Sequence, residues 1–246
     1  MNYETKRNSD FLSGTLNSRV NQGLRTYLLK VYQLMGLGLL VSALTAYLGT
    51  TPSFLHLLFT QTLNGGLTYS LFGWLVIIAP LVLVFMFGSA VRNLNASKAQ
   101  TIFWIFSALM GFSFSTLLIS FTAASLFQTF IVTAGAFGGL CLYGYTTKKD
   151  LTGLGAFMFM GLLGIIIAAV INFFMKSSAI AYGISMIGVI VFVGLTAYDS
   201  QRIKQMYNPN DSSDTSRTKA ITGALSLYLD FINLFVMLLR FMGDRK

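Results

Sequence analysis

Two of the eight acidic residues in this chain stand where acids are costly. The stretch SLYLDFINLFVMLLRF (226–241) has the composition of a membrane span apart from Asp230, and GVIVFVGLTAYD (188–199) closes on Asp199. The other six, Glu4, Asp10, Asp150, Asp211, Asp214 and Asp244, fall in termini or polar connections, where a solvated charge needs no further account. Around Asp230 the polar residues are ordered. Thr222, Ser226, Asp230 and Asn233 follow at intervals of four, four and three, which places them on one face of a helix. Such a stripe is either a lined path or a seam of hydrogen bonds between helices. Other candidate chemistry is thin. His56, the sole histidine, has no thiol or acidic neighbour in its connection, and Cys141, the sole cysteine, lies in an apolar run, so neither a metal centre nor a disulfide is indicated. No Gly-rich turn followed by Lys and Ser or Thr offers a phosphate loop.

The elements that must position these residues are membrane helices. Of 246 residues, 54 % are hydrophobic and 10 % charged, and the mean hydropathy of +0.68 lies outside the range of soluble globular chains. Apolar runs of about twenty residues match a hydrocarbon core ~30 Å thick. Seven occur, near 27–49, 71–90, 101–120, 126–145, 154–174, 179–199 and 221–242. The expected fold is all-α and polytopic, with a polar segment over 1–25, a seven-helix membrane domain over 26–243 and a short tail over 244–246. The start MNYETKRNSD shows no cleavable signal pattern, so the first helix is expected to direct insertion.

The net charge of +9 raises nucleic acid as a partner, but the basic residues sort by side of the membrane. Alternate connections carry thirteen against four, the four being Lys176, Arg240, Arg245 and Lys246. This asymmetry places the N-terminus in the cytoplasm and assigns the excess charge to topology and anionic lipid, not to nucleic acid. Three of the four lie at the end of the chain, so the side on which it finishes stays open.

Insertion energies distinguish the last run. Asp costs about 2.5–3.5 kcal/mol at a helix centre, and each Leu, Ile, Phe or Val returns about 0.3–0.6 kcal/mol. The twelve such residues in 221–242 return roughly 4–7 kcal/mol, most of which Asp230, Asn233 and Arg240 remove. A helix that inserts so marginally belongs at the centre, where other helices surround it. The glycines Gly36 and Gly38, Gly135 and Gly139, Gly161 and Gly164, and Gly183 and Gly188 read as sites of close helix packing, and Pro80 as a bend in the second helix.

Three segments carry a resemblance: LYGYTTKKDLTGLG (142–155), FVGLTAYDSQRIK (192–204) and LSLYLDFINLFVMLLRFMG (225–243). Together they resemble the Bax inhibitor-1 family, in particular its bacterial inner-membrane branch, over roughly residues 24–243. The resemblance implies seven helices with six around a central seventh, and a pH-sensitive calcium leak in the inner membrane. One Asp from each of the sixth and seventh helices would share a proton, here Asp199 and Asp230. Two carboxylates in contact cannot both ionise cheaply, so they titrate as a unit. With Thr196, Thr222, Ser226 and Asn233 as the ion path, the two acids would form at most a weak calcium site, since calcium takes six to eight oxygen ligands. No cofactor is implied; the partners are the bilayer and calcium or other cations. Some family members latch the acid pair with a basic residue in the second helix. No charge lies inside that run here, and Arg92, just beyond it, is the nearest candidate.

Two other classes compete. The resemblance also implies, for some bacterial relatives, a non-conducting regulator that binds membrane proteases or stress proteins. An intramembrane aspartyl protease would present a Tyr-Asp pair in one helix, as Tyr198-Asp199 does. Leu-Tyr-Leu precedes Asp230 in place of Gly-x-Gly, however, and no Pro-Ala-Leu follows, so an enzyme is not the expected reading.

Overall fold

The computed structural model describes residues 3–61, 67–92 and 95–246; residues 1 and 2 of the polar N-terminal segment lie outside them. The elements in chain order are α1 (Tyr3–Leu48), α2 (Pro52–Leu58), a hairpin of β1 (Phe59–Gln61) and β2 (Leu67–Tyr69), then α3 (Leu71–Arg92), α4 (Ala96–Ser120), α5 (Ala123–Thr146), α6 (Thr152–Met175), α7 (Ser178–Met206) and α8 (Ser213–Met242). Seven of them, α1 and α3 to α8, are long and apolar enough to cross a membrane. The connections α3–α4, α5–α6 and α7–α8 share one end of the bundle, called here the basic face.

Hydropathy marks the bilayer and not the helix, so the helices outrun the apolar segments. α7 continues through SQRIK to Met206, placing Asp199 about 10 Å before the helix end rather than at it. α8 starts at Ser213, eight residues before its apolar run. The Ser212 side chain accepts from the Thr215 N–H at 3.2 Å, and Asp214 occupies the first turn, where the helix dipole favours an acid. Asp230 therefore lies roughly 25 Å into α8, not the 13 Å or so that the apolar run alone indicates. α3 passes through Pro80 as one assigned helix. The α2 segment and the β1–β2 hairpin, antiparallel with Thr60 opposite Thr68, are not marked by the hydropathy pattern.

The seventh span is the central one. α8 packs against α1, α4, α5 and α7, and 56 % of its apolar window is buried, against 11 % for α6 at the periphery. α6 is held almost wholly by α7 and stands off from α8. A polar knot ties α8 to its neighbours: Ser42 Oγ hydrogen-bonds Tyr228 OH at 2.7 Å and donates to Ser107 O at 2.7 Å, joining α1, α4 and α8. Edge-on contacts with Phe103 and Phe106 fix the Tyr228 ring.

α8 also crosses completely. Its tail is pinned beside the α4–α5 turn, opposite the basic face: Thr122 N donates to Asp244 O at 3.1 Å and Lys246 N to Ser120 O at 3.0 Å, with Phe121 and Arg245 bridged.

The glycines divide. Gly38 sits against Phe103, Gly161 against Val191 and Gly188 against Met237, as close packing requires, but Gly36, Gly135, Gly139, Gly164 and Gly183 have nothing within 4 Å of the place a Cβ would occupy. The packing expectation is corrected for these five, which look onto open space and not onto a neighbouring backbone. Gly111 is the tightest crossing, where a Cβ would strike the Ser42 backbone and the Thr45 hydroxyl. Gly111→Ala is expected to destabilise the bundle by about 1–3 kcal/mol through overpacking. Thermal melting of the detergent-solubilised protein reads this as a lowered midpoint, with Gly135→Ala unchanged as the matched control.

Candidate functional site

α7 and α8 run antiparallel, and two glycine contacts set their register: Gly223 against Ile203 and Gly188 against Met237. In that register Asp199 faces the Ser226 hydroxyl, and Asp230 lies about one turn deeper, roughly 6 Å along the axis. Both acids line the same cavity, about 750 Å³ in volume, enclosed by α6, α7 and α8. Asp199 is 15 % exposed, with the Arg202 guanidinium 3.9 Å away and mostly in solvent. Asp230 is only 5 % exposed, and its Oδ2 has no hydrogen-bond donor among the described residues.

The standoff of α6 creates this cavity. Along α6 the lining extends from Thr152 to Ile166, about 21 Å from the basic face inward. Phe192 and Leu195, which also line the cavity, belong with Ile165, Ile184, Val191 and Leu234 to one buried apolar cluster. The cavity wall thus runs from Thr152, at the basic-face end of α6, past the two acids to apolar residues of this cluster. Just before α6, the Thr152 hydroxyl and N–H donate to Asp150 Oδ1 at 2.6 and 2.9 Å, holding that carboxyl below the usual range.

The polar stripe is only partly brought to the cavity. Ser226 and Asn233 line it beside the acids; the Asn233 amide also donates to Leu229 O at 2.8 Å. Thr222 and Thr196 do not line it. Each turns its hydroxyl back to its own helix, Thr222 to Thr218 O at 2.9 Å and Thr196 to Phe192 O at 2.7 Å, and Thr196 is fully buried.

The other face of the Asp199 segment is a clamp. Gln201 accepts from Leu151 N–H at 2.9 Å and donates to Lys149 O at 2.8 Å, fastening the α5–α6 connection. Ser200 Oγ donates to Cys141 O at 2.8 Å and Lys204 Nζ to Tyr145 O at 2.8 Å, fastening α5. On the cavity side, Tyr198 lays its ring on Gly155 of α6, where a Cβ would strike it, and both residues line the cavity.

A family model described as "Inhibitor of apoptosis-promoting Bax1" matches residues 24–246. The chain belongs to the Bax inhibitor-1 family. Among its relatives, Inner membrane protein YbhL of Escherichia coli K12 is 48 % identical over 227 residues, covering 91 % of this chain and 94 % of that protein. An uncharacterized protein of Rickettsia prowazekii is 40 % identical, covering 94 % of each chain, and one of Caulobacter vibrioides is 42 % identical, covering 92 % of each.

In this Bax inhibitor-1 protein Arg92 ends α3, exposed, and is not among the residues lining the acid cavity. Among the described residues the basic group paired with Asp199 is Arg202, one turn along the same helix. Ser200 and Gln201 carry no role in the sequence reading although they lie inside the segment that carries the family resemblance. Their alternation with the Asp199 and Arg202 face was the available signal, since four consecutive helical positions must point to different neighbours.

Two measurements check this geometry. In a Cys141→Ser background, Ser226→Cys is expected to react with a water-soluble thiol reagent, whereas Thr196→Cys stays unlabelled. Gln201→Ala leaves the Leu151 N–H and the Lys149 carbonyl without their partner, and is expected to cost about 1–3 kcal/mol, read as a lowered melting midpoint.

Proposed function

We propose that the α6–α7–α8 cavity is the cytoplasmic half of a pH-sensitive cation leak across the inner membrane, with calcium as the passing ion and Asp199 and Asp230 as a proton-sharing gate. The observation that supports this reading is that two acids, one on α7 and one on α8, line the same cavity about one turn apart beside a buried apolar cluster. A carboxylate at this depth is costly on any helix, and two within reach of one another cannot both ionise cheaply. The number of protons on the pair then decides whether α7 and α8 hold together or part. When they part, the barrier formed by Phe192, Leu195 and Leu234 opens, because these residues belong to the same two helices.

Calcium fits as cargo and not as a resident ion. Two carboxylates with the Ser226 hydroxyl and the Asn233 amide fall short of the six to eight oxygens of a holding site, and water supplies the remainder in transit. The nearby Arg202 charge weakens binding further. Placement in the inner membrane follows the Escherichia coli relative, Inner membrane protein YbhL, and a cytoplasmic basic face follows the charge asymmetry.

The test is calcium entry into proteoliposomes loaded with a fluorescent indicator, measured across the acidic to neutral range with potassium for comparison. Wild-type flux is expected to vary with pH, and Asp199→Asn and Asp230→Asn to flatten that dependence. An unchanged pH profile in both variants rejects the gate. A regulator that conducts nothing predicts no flux above empty vesicles, with effects on partner proteases that survive both substitutions.

A further inference from the structure

A second hollow opens at the basic face, on the other side of α8 from the acid cavity. α1 and α5 each pack on α8 but hardly on each other, which leaves a groove of about 570 Å³ between them. Arg25, Asn21 and Tyr145 stand at its mouth, and Leu29, Gly138 and Leu142 form its walls. On α1 the groove descends from Arg25 to Tyr32, and on α5 from Tyr145 to Gly138, about 10 Å on each helix. It therefore runs along the membrane normal, from headgroup level into the acyl layer.

We propose that this groove is a binding site for one anionic phospholipid, its phosphate on Arg25 and one acyl chain laid between α1 and α5. Charge complementarity selects the occupant. Among the described residues no acidic side chain lines the groove, Arg25 is exposed at its mouth, and Lys204 brings a second positive charge to Tyr145, 4.9 Å from the ring centroid. A guanidinium can grip a phosphate with two parallel hydrogen bonds, which a zwitterionic headgroup partly cancels with its own cation. Below the mouth the walls are apolar, and a Cβ at Gly138 would meet nothing within 4 Å, so the space beside this glycine is not taken up by protein. The floor is Cys141, whose carbonyl accepts from Ser200, the residue after Asp199, so an acyl chain seated there bears on the helix segment that carries the acid. The site itself is independent of the leak and stands or falls separately.

The test is native mass spectrometry of the full chain in detergent, offered phosphatidylglycerol or phosphatidylcholine. One basic contact near a membrane surface corresponds to about a fivefold preference, so wild type is expected to retain a single phosphatidylglycerol about fivefold better. Arg25→Gln is expected to remove the preference, Arg25→Lys to keep most of it, and Lys98→Gln, exposed on α4 and outside the groove, to leave it intact. Gly138→Leu, whose Cβ has nothing within 4 Å and whose side chain projects into the groove, is expected to lower retention of both lipids at an unchanged melting midpoint. Equal retention by wild type and Arg25→Gln overturns the proposal. Displacement of the lipid by soluble glycerol phosphate also overturns it, by marking a free-anion site, as does a dimer that Gly138→Leu converts to monomer, by giving the groove to a second copy.

Discussion

A carboxylate that must be kept out of lipid organises this bundle. Asp230 sits past the midpoint of α8, and a helix carrying it gains too little from its own apolar residues to face hydrocarbon on any side. The surrounding helices remove that exposure. α1 and α4 are bonded to α8 through Ser42, Ser107 and Tyr228, and α7 lies along it with glycines at two crossings. Because hydrophobic exclusion is absent between helices in a membrane, these contacts rely on close approach and on satisfied hydroxyls. α6 packs on α7 and does not close on α8, and that omission leaves the cavity beside the acid.

The segment 198–204 shows how one helix serves two purposes. Asp199 and Arg202, three residues apart, face the cavity, while Ser200, Gln201 and Lys204 face α5 and its connection to α6. The acid is thus mounted on a stretch of α7 that is anchored on its opposite side. Any parting of α7 from α8 has to pivot on those anchors, since the hydrogen bonds to Cys141, Lys149, Leu151 and Tyr145 hold that side to α5 and to the start of α6.

Much of this was legible in the chain. Hydropathy located all seven spans, and the insertion balance of the last run placed it at the centre, because composition alone decides whether a helix tolerates lipid. Helix ends were not legible from the same signal, since capping by Ser212 and the polar turn 200–206 extend α7 and α8 beyond the bilayer core. The stripe on α8 identified Ser226 and Asn233 as neighbours of the acids in the cavity, but spacing could not reveal that Thr222 and Thr196 satisfy their hydroxyls on their own helices. Paired glycines misled where the partner helix is missing: Gly135 and Gly139 have the spacing of a packing motif and open space in front of them.

The pinned C-terminus bears on how the molecule is made. Chain order brings six membrane helices out of the ribosome before the one at the centre of the bundle. α8 enters last, carrying its acid, and Asp244 and Lys246 then dock on the α4–α5 turn. The element that carries the acid is thus translated after the helices around it, and its docking on the α4–α5 turn fastens the core from the face opposite the basic one.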